Sequence, residues 1–478
     1  MRKLALIAGI ALLALAFSAC PTEPEALPPG INPDNFPPRP SNPPGHIGEA
    51  PSLGYIWARY FPMGNIVAAA TYNWQGPIGG GHVADIGNDM REHLLRRHFA
   101  ILTAENAMKP DQLQPSAGVF PFANNPNNSA NRIAAFANNS SYPMRLHGHV
   151  LVWHSQSPSH LNQTGSDPLP RDEAISNLRT HIKTVMRHFG TSVESWEVLN
   201  EIFASSVGAG SGPLPVTADN WRMHLRGRGA GASGWFDAIG SDPNGDCFIW
   251  LAFTTARRVA DEMGRPDMIL YYNDYNEEQP NKRNAIYFMV REMNQRFAAE
   301  NGGRRLIDAI GMQAHYHRSG QGSAFPWGPT NLDNVSASME RFSRLIDDGL
   351  LRYISITELD VTVGGAPGDR FAPNPPLTAE QEMEQAIMYA RLFRIFRDFA
   401  DANPGWLRRV SLWGINDNAS WRWRGSPVLW DSNLRPKKAF WAAAHPDGFL
   451  LPNGDPRPVA EINAFLANPR DFIDERHW

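Results

Sequence analysis

Two glutamates in this sequence each close a short apolar run: Glu201 ends residues 195–201, and Glu358 stands near the end of residues 353–360. A carboxylate at the end of an apolar strand is costly to bury alone, so it must reach the rim or find a partner. Two such groups facing each other across a cleft form the pair of acids that cleaves a glycosidic bond. Asn200 precedes Glu201. An amide beside a carboxylic acid suits that reaction, because the amide holds a sugar hydroxyl while the acid protonates the bridging oxygen. Structural readings compete at both positions. Asn200-Glu201 also reads as a capping pair where a strand meets a helix, and Glu358 as the partner of Lys109 or Arg352.

The elements that would position these groups follow from the rest of the chain. Six more apolar runs lie at 65–70, 100–106, 144–153, 268–274, 309–315 and 410–417, and all but the first end in a polar or aromatic residue. Room for a helix separates successive runs. Alternating strands and helices imply a parallel sheet. Eight units imply an α/β fold of the closed (β/α)8 TIM-barrel type, with its site at the carboxyl ends of the strands. Glu105, Asn106, His149, Asn200, Glu201, Asn273, Gln313, His315, Glu358 and Trp413 should therefore converge on one cleft. The helical apolar spacing predicts helices over 130–137, 248–263 and 378–400.

Composition narrows the class. The 478 residues carry a formal charge of −4, so no basic excess points to a nucleic-acid partner. Arg2 and Lys3 precede an apolar run, 4–17, that ends in Ser18-Ala19-Cys20. This is the order of an export signal, and it is short for a membrane span. A cysteine after small residues matches a bacterial lipoprotein cleavage site. Residues 1–19 are then the signal peptide and Cys20 the lipidated first residue, although Phe17 replaces the usual leucine. Secretion after an ordinary cut is the alternative. Residues 20–52 read as a tether, since 21–51 hold 11 prolines and few large apolar groups. Residues 53–445 would form one catalytic barrel domain and 446–478 an extension packed on it. With Cys20 lipidated, Cys247 is unpaired and no disulfide framework exists. Glu277-Glu278 reads as a solvated helix start. The loops 202–246, with nine glycines, and 361–377 follow strands four and seven and so belong to the catalytic face.

Seven motifs together resemble glycoside hydrolase family 10, the endo-β-1,4-xylanases. They are T-A-E-N-x-M-K-P at 103–110, G-H-x-L-V-W-H-S-Q at 148–156, N-E at 200–201, Y-N-D-Y-N at 272–276, G-M-Q-x-H at 311–315, T-E-L-D at 357–360, and W-G-x-x-D…S-W from Trp413 to Trp421. They occur in the family's order over residues 56–444. The resemblance implies Glu201 as acid/base and Glu358 as nucleophile of a retaining, endo-acting hydrolase of xylan. Asn200 would hold the sugar 2-hydroxyl, while His315 and Asp360 would hydrogen-bond around the nucleophile. His149, Trp153, Gln313 and Trp413 would shape the cleavage subsite. Glu105, Asn106, Lys109, Gln156 and Trp421 would bind the neighbouring sugar, and Asn273, Tyr275 and Asn276 would complete the cleft, with Tyr275 and Asn276 on the leaving-group side. The negative charge of Glu358 would keep Glu201 protonated until the ester forms. His147 departs from the pattern, since the family often has arginine there.

The reading implies no metal and no cofactor. Its partners are xylan or xylo-oligosaccharides, and a membrane held through the N-terminal lipid, with the protein a monomer outside the cytoplasm. Two other classes stay open. His147-x-His149 and His315-x-His317 have the spacing of metal ligands on strands, which would suit a metal-dependent hydrolase on the same barrel. That class puts its His-x-His on the first strand, where this chain has none. A catalytically weak xylan-binding surface lipoprotein would have lost a carboxylate, and both are present.

Overall fold

The computed structural model describes residues 32, 35–36, 39–40, 49–73, 81–82, 84–139, 141–205, 207, 214–226, 234–240, 247–318, 330–363 and 377–478. The expected signal and Cys20 lie outside these residues, as do most of the tether, much of the glycine-rich loop and residues 364–376.

Eight strands alternate with eight helices. They are β1 (Met63–Val67), α1 (Asp89–His98), β2 (Ile101–Ala104), α2 (Ser129–Ala137), β3 (Arg145–Gly148), α3 (Arg171–Phe189), β4 (Ser195–Asn200), α4 (Phe248–Glu262), β5 (Ile269–Asp274), α5 (Pro280–Glu300), β6 (Ala309–Met312), α6 (Leu332–Asp347), β7 (Tyr353–Thr362), α7 (Ala379–Ala402), β8 (Leu407–Leu412) and α8 (Lys438–Ala444). All pairs among these eight strands are parallel: β1 lies between β8 and β2, and β6 pairs with β7 to close the barrel. Closure removes the open edges that would otherwise have to be covered.

Local chemistry starts the helices. Thr378 and Gln381 form a reciprocal capping box on α7, Asn88 and Asn331 cap α1 and α6, and Pro280 opens α5, where the missing N–H costs nothing. α3 carries Asp172 and Glu173 in its first turn and Arg187 and His188 in its last, each sign matched to the helix dipole. Close packing also depends on Gly148: a Cβ there would overlap the indole of Trp196, which is fully buried. Truncating Trp196 to alanine would cost about 3–5 kcal/mol by the usual cavity cost.

The outer core between strands and helices is apolar, but the lumen is polar. Tyr271 Oη on β5 meets Ser355 Oγ on β7 at 3.1 Å, and the Arg409 guanidinium from β8 lies 5.2 Å from the Tyr271 ring. β5 and β8 are not neighbours, so this contact crosses the lumen. Beyond α8 the chain continues to the helix Val459–Ala467, and its last ring, Trp478, lies 6.0 Å from Trp441.

Two expectations need correction. The tether is not free along its whole length: Phe36 is fully buried, edge-on to Tyr55 at 4.7 Å, and Arg39 donates to the Pro143 carbonyl at 2.8 Å. Phe36 and Arg39 are thus anchored although the composition around them is unfit for a core. Glu277 is not solvated either. It is fully buried and accepts from Tyr316 Oη at 2.9 Å, and burial together with the Glu278 charge pushes its pKa up to about 8. The helix starts later, at Pro280, and the loop before it folds inward.

Candidate active site

β4 delivers two adjacent polar side chains to the rim by breaking its own alternation. Glu197 pairs with Tyr271 and Asn200 with Asn273, but Leu199 pairs with Tyr272, so β4 holds one residue more than β5 over this stretch. Such a bulge lets Glu197 and Asn200 face the same way although three positions apart. Glu201 then takes a left-handed conformation, φ 54°, which is costly for a non-glycine residue and turns its carboxylate back over the barrel mouth. Its oxygens accept from Gln313 Nε2 at 2.9 Å, Trp153 Nε1 at 3.0 Å and Asn200 Nδ2 at 3.3 Å. His154 Nδ1 and Arg226 Nη2 lie 3.8 and 4.0 Å away.

These donors decide the charge on Glu201. Burial favours the protonated acid, but the bond from Gln313, the charges of His154 and Arg226 and the bond from Trp153 outweigh it and lower the pKa. His154 is itself pushed down to about 4, chiefly by burial, so at pH 7 the hydrogen bonds carry most of the effect. In the free cleft these neighbours favour the Glu201 carboxylate, an influence opposite in sign to the one expected from Glu358.

β7 delivers Glu358, which is 4% exposed and therefore needs its partners. Asn273 Nδ2 donates to Oε1 at 2.7 Å, and His315 Nε2 meets Oε2 at 3.2 Å. Thr357 Oγ1 donates to Asn273 Oδ1 at 2.7 Å and so aims that amide's N–H groups at the carboxylate. Gly311 leaves the room: a Cβ there would overlap Asn273 Oδ1 and the Thr357 methyl. His315 Nδ1 meets Asp360 Oδ2 at 3.0 Å. Burial disfavours the imidazolium, but Asp360 and Glu358 outweigh it and raise the His315 pKa to about 9. Asp360 in turn pairs with Arg422. Burial would raise the carboxyl's pKa, yet Arg422 and His315 hold it below its usual value.

The remaining expected residues line the same mouth. Lys109 Nζ donates to Asn106 Oδ1 and Gln156 Oε1, both at 2.8 Å, and lies 5.2 Å over the Trp153 ring. Burial lowers the Lys109 pKa, while Glu105 and Glu358 act against the fall. His149 packs edge-on to Trp413 at 5.3 Å, and His315 packs edge-on to Trp421 at 5.2 Å. Trp421 is half-exposed and offers a flat apolar face to a sugar ring. Tyr275 is held by Ser205 and Arg226, and Asn276 donates to the Ser205 carbonyl at 3.2 Å.

The four histidines of the metal reading have separate partners. His147 meets Ser195 Oγ at 2.8 Å, His149 meets Glu197 at 3.1 Å, His315 bridges the two β7 carboxylates, and His317 receives Arg422 and Thr362. A guanidinium 2.6 Å from His317 Nδ1 occupies the lone pair a cation would need. Among the described residues, the one group of three such side chains whose ligand atoms all lie within 4.8 Å of one another is His149, Glu197 and Glu358.

Sequence reasoning missed Glu197, His154, Arg226, Arg422 and Arg409. His154 and Arg422 sit inside or beside the quoted motifs and could have been read there. Arg226 comes from a loop whose path no spacing reveals, although its Nε donates to the Glu201 carbonyl at 2.7 Å.

A closed parallel barrel, with carboxylates from β4 and β7 at the carboxyl end of its sheet and indoles around them, has the construction of a barrel glycosidase. The chain belongs to glycosyl hydrolase family 10, whose profile matches residues 70–446. It is 32% identical over 403 residues to an endo-1,4-beta-xylanase of Geobacillus stearothermophilus, covering 82% of this chain and 97% of that protein. It is 31% identical over 409 residues to endo-1,4-beta-xylanase A of Thermoanaerobacterium saccharolyticum, covering 83% of this chain. The chain spans only 28–30% of the length of that protein and two other long relatives. Among solved structures, a mutant of the intracellular xylanase TsXylA of T. saccharolyticum with xylotriose matches with TM-score 0.61 and 30% identity, over 83% of this chain and 99% of that one.

Proposed function

We propose that this chain is an endo-1,4-β-xylanase that retains anomeric configuration. The observation that carries the reading is Glu358 on β7, held by Asn273 and His315 in the same mouth as Glu201 on β4. Glu358 attacks the anomeric carbon while Glu201 protonates the departing sugar oxygen. The resulting ester is hydrolysed when Glu201, now a base, takes a proton from water. The first step uses the proton on Glu201 and the charge on Glu358, so the bound sugar must reach the cleft with Glu201 protonated. Asn200, His149, Trp153, Gln313 and Trp413 serve the cleavage subsite, Glu105, Asn106, Lys109, Gln156 and Trp421 the adjoining sugar, and Tyr275 and Asn276 the leaving side. The xylanases among its relatives and the xylotriose-bound neighbour support xylan as substrate.

The same proposal places the protein outside the cytoplasm, anchored through Cys20 after removal of residues 1–19. Ser18-Ala19-Cys20 behind an apolar run supports this. The test of function is Glu358→Gln, which keeps the Asn273 contact but cannot form the ester. Xylan turnover should fall at least ~10³-fold. Hydrolysis close to the wild-type rate would remove Glu358 from the reaction.

A further inference from the structure

The segment that returns from the loop after β4 is built back onto the end of that strand. Phe203 and Leu225 face each other in an antiparallel bridge, Ala204 N–H donates to the His224 carbonyl at 3.0 Å, and Arg226 N–H donates to the Ile202 carbonyl at 2.8 Å. Trp221, fully buried, donates to Glu292 on α5 at 2.9 Å, and Arg222 donates to the same carboxylate at 2.8 Å. These contacts seat the segment without help from the Arg226 side chain. That side chain is buried and runs instead to the residue that follows β4. Its Nε donates to the Glu201 carbonyl at 2.7 Å, and its Nη2 donates to Tyr275 Oη.

Glu201 needs that grip. Its left-handed main chain, φ 54°, is costly for a residue with a Cβ and persists only where the surroundings impose it. The donors from Gln313, Trp153 and Asn200 hold its carboxylate, not its main chain. Two other bonds hold the main chain: Glu201 N–H donates to the Asn273 carbonyl at 3.0 Å, and Arg226 Nε donates to the Glu201 carbonyl. Peptide groups are planar, so fixing the one on each side of a Cα fixes φ and ψ together. The first bond continues the pairing of β4 with β5. The second depends on one side chain, delivered by a loop.

We propose that Arg226 is a positioning residue: its Nε–H pins the Glu201 carbonyl and so keeps the carboxyl aimed at the oxygen of the departing group. Released, residue 201 relaxes toward negative φ and its carboxyl swings off that oxygen, while Glu358 on β7 stays in place. The loss then falls on the proton transfer by Glu201 and spares the attack at the anomeric carbon. The part in catalysis rests on the proposed function; the main-chain clamp does not. The guanidinium also stands 4.0 Å from the Glu201 carboxylate, so the bond has to be separated from the charge. Two substitutions do this. Lysine puts a methylene where Nε stands and keeps a cation. Glutamine puts its amide nitrogen there, which keeps the donor and removes the charge.

The experiment compares kcat/KM of wild type, Arg226→Lys and Arg226→Gln on phenyl and dinitrophenyl β-xylobioside. Both substrates fill the same sugar subsites, but dinitrophenolate departs without a proton whereas phenolate needs one. Arg226→Lys should fall about 10–100-fold on the phenyl substrate and less than about threefold on the dinitrophenyl one. Arg226→Gln should lose several-fold less than Arg226→Lys on the phenyl substrate. Equal losses of Arg226→Lys on both substrates, no loss on the phenyl one, or an Arg226→Gln that falls as far as Arg226→Lys would each overturn the proposal. If Arg226→Lys does not fold, Arg226→Gln decides: a selective fall on the phenyl substrate overturns the proposal, and the absence of one upholds it. A wild type that hydrolyses neither xylobioside would remove the proposed function, and the catalytic part of this inference with it.

Discussion

Replacing Asp360 by asparagine should slow xylan hydrolysis about 5–30-fold at pH 7 and remove one alkaline component of stability. His315 is buried, which disfavours its cation, yet Asp360 and Glu358 lift its pKa from 6.5 to about 9. At 1.36 kcal/mol per pH unit, that rise is worth about 3 kcal/mol of native-state stabilisation. The pKa is raised on folding, so this contribution is complete below pH 6.5 and is lost as pH climbs through about 9. At pH 7 the wild-type ring is therefore cationic and donates a charge-assisted bond to Glu358 Oε2. Asparagine removes the charge that contributes most to the rise. The ring becomes neutral near pH 7, and its bond to Glu358 weakens from the charged to the neutral class, about 1–2 kcal/mol, or about 5–30-fold in rate. Arg422 keeps Thr362 Oγ1 at 3.0 Å and the Tyr316 carbonyl at 3.3 Å, so the floor stays tied. The assay is initial rates and thermal melts from about pH 5 to about pH 9. The variant should regain rate toward acid as His315 takes its proton back, and its Tm should fall less than the wild type's between pH 6.5 and 9. A variant with the wild-type rate at pH 7 and the wild-type alkaline fall in Tm would refute the reasoning.

Other expectations follow from single contacts. Trp153→Phe removes a donor to Glu201 at 3.0 Å, so the alkaline limb of kcat/KM should move to higher pH as the acid holds its proton longer; an unmoved limb would show that this bond does not set the Glu201 pKa. Cys20→Ser should abolish incorporation of labelled palmitate, and equal labelling of both proteins would end the proposal of a lipid anchor.

The barrel was legible in the sequence because each strand is a continuous apolar run that ends in a polar residue, and that pattern survives without tertiary knowledge. The runs at 195–201 and 353–360 match β4 and β7 to within two residues at either end. The convergence of Asn200, Glu201 and Gln313 followed from one rule, that strand ends share a rim. The lumen was less legible. Glu197 and Arg409 look like surface charges in sequence, and only the bulge in β4 and the contact across the barrel show that both point inward. Glu277 was misread for a related reason: its burial depends on Tyr316, 39 positions away. The donors around Glu201 were not legible either, because the sequence shows two carboxylates but not the N–H groups that reach one of them.

The central claim is direct attack by Glu358 in a double displacement, and the stereochemistry of the first product tests it most directly. A ¹H NMR time course of xylo-oligosaccharide hydrolysis, read before mutarotation, should show the β-anomer appearing first, since two inversions restore the starting configuration. Initial release of the α-anomer would contradict the account and make Glu358 a base acting through water.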